Sequence, residues 1–227
     1  MGISVVIFDF DSTLVRAEGL DLLADVVGEA LSTSERAALV ARVRDLTTRA
    51  MAGRVSFAEA LRERIELLRA TTRDLDRALA RLREVVVDGA RETVLALRQR
   101  RIAVAVVSGG LRPLVEPISL ALGFPREAIH CNDPVLEGGR LTGVVAGNSL
   151  SRDGGKIEVV RRLACTGTAL MVGDGATDLE VRTRGAAAFF VAFTGVVERS
   201  EVVAAADRVV NRMPLILDLL DEPLLQD

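Results

Sequence analysis

Asp9 and Asp11 stand one residue apart at the end of the apolar run Val5-Val6-Ile7-Phe8. Apolar, β-branched residues of this length read as a buried strand, and two carboxylates at its carboxyl end break the run where a turn must begin. Two like charges are costly to bury unless a cation sits between them, and oxygen ligands suit a hard metal such as Mg²⁺. The plain alternative is a strand end with two solvated turn aspartates. The apolar run 169–172 ends the same way, in Gly173-Asp174-Gly175-Ala176-Thr177-Asp178. Thr177-x-x-Glu180 is a capping signature that gives Asp178 a structural role as the first acid of a helix, whereas Asp174 has no such role. Ser108-Gly109-Gly110 ends a predicted strand over 102–107 and precedes a helix with Pro113 in its first turn. A hydroxyl, free backbone N–H groups and a helix dipole together offer an anion site, although Ser-Gly-Gly alone is more often a turn. Lys156 falls in the first turn of a predicted helix, where a cation opposes the dipole and calls for an anionic neighbour. Gly154-Gly155-Lys156 is not a P-loop, because Leu150 and Ile157 stand where that motif needs glycine and a hydroxyl residue.

The elements that must position these residues alternate strand and helix, which predicts an α/β fold with a doubly wound, mostly parallel sheet. Further strands are expected over Ile129–Asn132, Ala187–Val191 and Arg208–Val210, with a hairpin about Gly138-Gly139 and a last helix from Pro214. In such a sheet, ligands bind beyond the carboxyl ends of the strands, which would gather Asp9, Asp11, Ser108, Lys156, Asp174 and Asp178 at one edge. That set suits Mg²⁺ plus a phosphate better than a cation alone.

One stretch interrupts the alternation. After Thr13 the pattern is helical until about residue 85, which reads as a small separate module inserted between two strands. Ser32-x-x-Glu35 opens a helix with the stripe Leu39, Val43, Leu46 and Ala50, closed by Met51-Ala52-Gly53. Ser56-x-x-Glu59 opens another, with Phe57, Leu61, Ile65 and Leu68 inward, and a third helix covers about Leu75 to Glu84. Arg64 breaks the pattern: it shares the apolar face with Phe57 and needs a partner, which is either a structural carboxylate or a ligand carboxylate.

With 227 residues and 49% apolar composition the chain can bury a proper core, and disorder as the main state is excluded. Lys and Arg number 29 against 32 Asp and Glu, so there is no basic footprint for nucleic acid. The amino terminus lacks the basic region of a signal peptide, and no apolar run is long enough to span a bilayer, so a soluble cytoplasmic protein is expected. Cys131 and Cys165 are expected as buried reduced thiols, and His130, the single histidine, as structural.

Asp9-Phe10-Asp11-Ser12-Thr13, Ser108-Gly109-Gly110, Lys156 and the 173–178 segment resemble the four motifs of the haloacid dehalogenase superfamily, in its phosphatase branch. Arg16-Ala17-Glu18-Gly19 and Met51 to Leu68 resemble more narrowly its phosphoserine phosphatase family, and the likeness covers nearly the whole chain, leaving no room before Met1 for the regulatory domain of some members. The resemblance implies a catalytic core over 1–15 and 86–227 and a helical cap over 16–85. It implies an aspartyl-phosphate on Asp9, proton transfer by Asp11, and Mg²⁺ held by Asp9, the main chain of Asp11 and Asp174 with support from Asp178. Ser108, Gly109 and Lys156 would bind phosphoryl oxygens; Thr177 stands where some members carry Asn, which leaves its contact open. Glu18 and Arg64 would select the ammonium and carboxylate of phosphoserine under a lid of Met51 and Phe57. A monomer or homodimer serving serine biosynthesis follows. A phosphotransferase or phosphatase for phosphohomoserine or phosphoethanolamine is the alternative, and a non-catalytic phosphometabolite-binding module is disfavoured because a binder has no need of Asp9.

Overall fold

The computed structural model describes residues 2–51, 54–164 and 167–221. Ala52-Gly53, expected to close a helix, and Cys165 lie outside the described residues. The chain opens with β1 (Ile3–Phe8) and four successive helices, α1 (Gly19–Gly28), α2 (Thr33–Met51), α3 (Phe57–Leu68) and α4 (Thr72–Glu84). It continues through α5 (Ala90–Gln99), β2 (Ala103–Leu111), α6 (Arg112–Leu122), β3 (Ile129–Asn132) and the antiparallel hairpin β4 (Pro134–Glu137) and β5 (Arg140–Val144). Then come α7 (Gly155–Leu163), β6 (Thr168–Gly173), α8 (Ala176–Thr183), β7 (Phe189–Phe193), α9 (Ser200–Ala205), β8 (Arg208–Val210) and α10 (Leu215–Leu219).

Six strands form one sheet in the order β3-β2-β1-β6-β7-β8, every neighbouring pair parallel. The fold is the expected doubly wound α/β sheet, and its strand order reverses between β1 and β6. Side-chain alternation explains why both faces are covered. Val6 and Phe8 of β1, Val106 of β2 and Val172 of β6 share one buried cluster, while Val5, Ile7, Val107 and Met171 belong to another on the opposite face. The first cluster is sealed by α5, α6 and α10 and runs on into the inserted helices through Leu23, Val43, Leu61 and Leu82. The second is sealed by α7, α8 and α9 through Val160, Val181 and Val202. Where the insertion leaves and rejoins the core, Val15 bridges to Val86 and the Arg16 amide donates to the Val85 carbonyl at 2.7 Å.

Several boundaries differ from the sequence expectation for local reasons. The Ser108-Gly109-Gly110 segment is not a turn but the irregular end of β2, and α6 begins at Arg112, two residues beyond the glycines, so its dipole is not carried by them. The strand expected at Ala187–Val191 is Phe189–Phe193, because the amides of Ala186 and Ala187 are taken by the Val181 carbonyl at the end of α8. Thr177 does not cap α8; Gly175 is the cap residue and Asp178 is the third residue of the helix. α4 starts at Thr72 because Thr71 caps it, its hydroxyl accepting from the Asp74 amide while the Asp74 carboxylate accepts from the Thr71 amide. Cys131 is a buried free thiol pushed up to about 11 by burial, and burial holds the half-buried His130 below its usual pKa. No helix of the described residues is long and apolar enough to cross a membrane.

Candidate active site

β1 and β6, the strands on either side of the order reversal, end side by side, and both run straight into acids. The Asp9 amide donates to the Val172 carbonyl at 2.9 Å, which ties the two ends together. Asp174 follows Gly173, and Asp178 reaches back from the first turn of α8, fully buried, to accept from the Gly175 amide at 3.1 Å. One carboxylate oxygen from each of Asp9, Asp174 and Asp178 lies within 4.8 Å of the others. Gly173 permits this, since a Cβ there would sit 2.3 Å from the Asp178 carboxylate.

Lys156 enters the same cluster. Gly155 starts α7 tight against the Ser149 carbonyl, where a Cβ would come within 1.8 Å, and the next residue points its ammonium at Asp9 (2.9 Å) and Asp178 (2.7 Å). The anionic neighbours that its helix position called for are these two. Burial works against its charge, but Asp178 and Asp9 outweigh burial and hold its pKa up, so it stays an ammonium.

The acids respond to burial in the opposite sense. Asp174 and Asp178 are each pushed up to about 7 by burial and next by the charge of Asp9. Asp11 is raised well above the carboxylate range by burial, then by Glu18 and Asp9, although the Gly19 amide that donates to it at 2.8 Å pulls the other way. Glu18, the residue that precedes α1, accepts from the Ser12 hydroxyl at 2.8 Å and is likewise raised by burial. These five carboxylates outnumber the nearby cations Lys156, Arg64 and Arg199, and the excess negative charge among hard oxygen donors fits a bound divalent cation. Asp178 has one oxygen on Lys156 and the other on the Gly175 amide, which suits it to orienting the lysine.

A cavity of about 530 Å³ opens over this edge, and the insertion supplies its other wall. Asp9, Asp11, Lys156, Asp174, Gly109 and Thr177 line it from the core, and Glu18, Met51, Phe57 and Arg64 from the insertion. Ser108 and Asp178 do not line it; both are fully buried behind it, and the Ser108 hydroxyl accepts from the Gly110 amide at 3.0 Å. Gly109 makes room for the Phe57 ring, whereas Gly175 has only ordinary contact with Met51. A Cβ on Gly109 would lie 2.4 Å from the Phe57 ring, and one on Gly175 would lie 3.7 Å from the Met51 sulfur. The Phe57 amide also donates to the Asp153 carboxylate at 2.7 Å, a contact between insertion and core.

Arg64 is 6% exposed, and among the described residues no carboxylate is in ion-pair contact with it. Its Nε donates to the Ala60 carbonyl at 3.0 Å and its Nη1 to the Thr47 hydroxyl at 3.2 Å. Several site residues carried no sequence signal. Arg199, just before α9, places its Nε 3.1 Å from Asp174 and its Nη2 3.9 Å from Glu18. The Thr13 hydroxyl donates to Asp174 at 3.3 Å, and Asn132 Nδ2 donates to the carbonyls of Gly109 and Leu150, both at 2.9 Å. Thr13 belongs to the first motif, although no role was expected of it; Arg199 and Asn132 come from remote elements with no fixed spacing to the motifs.

Residues 6–181, which contain all four motifs, match the haloacid dehalogenase-like hydrolase family. The chain belongs to this family. Among its relatives, the chloroplastic phosphoserine phosphatase of Arabidopsis thaliana is 34% identical over 223 residues, which is 96% of this chain and 72% of that protein. A phospho-aspartyl intermediate analogue of phosphoserine phosphatase and a substrate-bound phosphoserine phosphatase complex each superpose with a TM-score of 0.81 at 29% identity. Each comparison covers 96% of this chain and 99% of the other. As a haloacid dehalogenase-like hydrolase, the chain keeps the acids and the lysine at one sheet edge and adds to them the arginine and glutamate of the inserted helices.

Proposed function

We propose that this chain hydrolyses phosphoserine to serine and phosphate, with Mg²⁺ as cofactor, through an aspartyl-phosphate on Asp9. The observation that carries the reading is the presence of two differently charged groups in one cavity: the acids with Lys156 at the sheet edge, and Arg64 with Glu18 on the opposite wall. The first group suits a phosphoryl group and its counter-ion. The second suits a carboxylate and an ammonium, which phosphoserine carries beyond its phosphate. The relatives named phosphoserine phosphatase support the same assignment.

On this reading Asp9 attacks phosphorus and the serine oxygen leaves with a proton from Asp11; Asp11 then takes a proton from the water that cleaves the aspartyl-phosphate. Burial beside Glu18 and Asp9 keeps a proton on Asp11 for the first step, and the Gly19 amide fixes its carboxyl group. Lys156 neutralises phosphoryl charge, the Gly109 amide and the Thr177 hydroxyl take phosphoryl oxygens, and Ser108, buried behind them, orders the loop by accepting from the Gly110 amide. Asp9, the main-chain carbonyl of Asp11 and Asp174 would hold Mg²⁺, which when bound offsets the charge on the transferring group. Residues 1–15 and 86–227 act as the core and 16–85 as a cap, with Met51 and Phe57 excluding water over the reacting atoms. The serine released serves cytoplasmic serine biosynthesis.

The test is phosphate release from phosphoserine, phosphothreonine, phosphoethanolamine and glycerol phosphate, with and without Mg²⁺. Phosphoserine is expected to lead phosphoethanolamine and glycerol phosphate by at least about tenfold in kcat/KM, since a buried site built for a charged group rejects substrates that leave it unpaired, and to lead phosphothreonine, which differs by one methyl group, by less. Equal rates across the panel would remove the substrate assignment, and full activity after chelation would remove the metal.

A further inference from the structure

We infer that Thr47 and Asp21 form a buried relay that holds the Arg64 guanidinium in place and thereby sets selectivity for a substrate carboxylate; this rests on the phosphoserine reading above. The three residues come from three successive inserted helices, Asp21 on α1, Thr47 on α2 and Arg64 on α3. Arg64 Nη1 donates to the Thr47 hydroxyl at 3.2 Å, and that hydroxyl donates to Asp21 Oδ1 at 2.6 Å. The Thr47 hydroxyl has a second acceptor within its own helix, the Val43 carbonyl at 3.2 Å, but the Asp21 contact is shorter by 0.6 Å. A hydroxyl has one proton to give, so the shorter contact to a carboxylate takes it, and its lone pairs then face the guanidinium. All three groups are thus polarised in one direction.

The interposed hydroxyl matters. A carboxylate paired directly to Arg64 would take two guanidinium N–H groups in a fork and cancel its charge, leaving little for a ligand. Here one Nη1 bond to a neutral oxygen and the Nε bond to the Ala60 carbonyl fix the plane of the group, and no residue among those described takes Nη2. Thr47 and Arg64 both line the cavity, so the anchored guanidinium is presented to its interior. Asp21 compensates the buried charge at one remove without occupying the site. Thr47 and Asp21 are positioning residues, acting through Arg64.

The experiment measures kcat and KM of Thr47→Val, Thr47→Ser, Asp21→Asn and Arg64→Ala on phosphoserine, and on phosphoethanolamine and phenyl phosphate, which lack the carboxylate. Thr47→Val keeps the side-chain shape and removes the hydroxyl, so its KM for phosphoserine is expected to rise about 10-fold or more with a smaller change in kcat, the usual scale for a hydrogen bond to a charged group. The preference for phosphoserine over the two other esters should fall in proportion, Thr47→Ser should restore it, and combining Thr47→Val with Asp21→Asn should add little to either alone. Equal loss on all three esters, no rescue by serine, or an unchanged preference in Thr47→Val would overturn the relay. Arg64→Ala separates the two levels: if it leaves the preference intact, the carboxylate reading itself fails and the relay with it. If it abolishes the preference while Thr47→Val and Asp21→Asn keep it, only the relay fails. Melting temperatures of the purified variants identify any whose loss reflects unfolding, and the serine variant then decides.

Discussion

Asp9 and Asp11 are separated by one residue, yet their surroundings differ at every contact. Asp9 faces the Lys156 ammonium at 2.9 Å, on the cavity side of the acid cluster. Asp11 faces the Gly19 amide and lies beside Glu18, and burial holds its proton far above the pH at which a free aspartate loses it. Two like residues on one strand end thereby acquire different surroundings, a cation for the one and a buried, proton-retaining site for the other, which suits a nucleophile and a proton carrier. Asp9→Asn should abolish phosphate release, and acid-quenched enzyme incubated with radiolabelled phosphoserine should retain label in the native protein but not in the variant. Near-native turnover in that variant would eliminate the covalent route.

At the scale of elements, helix starts and glycines do much of the positioning. α3 is opened by Ser56, whose hydroxyl accepts from the Glu59 amide at 3.1 Å, and this start carries both Phe57 and the face that holds Arg64. α7 is opened by two glycines with unlike roles. Gly154 takes φ 72° and a Cβ there would meet only the Ile157 side chain at an ordinary 3.9 Å, whereas Gly155 is pressed against the Ser149 backbone. Gly154→Ala therefore meets only the left-handed backbone penalty, about 1 kcal/mol, seen as a modest drop in melting temperature. Gly155→Ala has to push α7 away from the 149–151 turn and draw Lys156 off Asp9. Its kcat should fall well over tenfold, far more than that of Gly154→Ala, and its melting temperature should fall further too. Similar kcat values for the two variants would show that the lysine does not depend on this close approach.

For the molecule as a whole, the buried acids link stability to pH and metal. Asp174 and Asp178 titrate near 7 when folded against a usual 3.8, so the unfolded chain releases these protons first as pH rises. Their contribution without metal is best below about pH 4, declines from there to about pH 7, and is flat beyond. A divalent cation binds the deprotonated acids and offsets that decline. Melting temperature measured with chelator and with Mg²⁺ should accordingly differ little at pH 5 and by several degrees at pH 7.5. A metal-induced rise that shrinks as pH goes up would contradict this linkage.

What the amino-acid sequence determined by itself was everything carried by short-range pattern. The apolar run Val5 to Phe8, the Ser56 and Ser32 starts, the Gly138-Gly139 hairpin and the acids at two strand ends follow from local pattern and backbone geometry, and they sufficed for the sheet and its ligand edge. The partner of Arg64 did not follow. Periodicity marked it as a charge on an apolar face, but Thr47 lies 17 residues away and Asp21 a further 26, on helices whose mutual docking no local pattern encodes. Arg199 at Asp174 and Asp153 at the Phe57 amide, 25 and 96 residues apart, are of the same kind. Hydrogen bonds and ion pairs act over a few ångströms, so which polar groups meet is settled only when packed helices and strands bring remote segments within that distance.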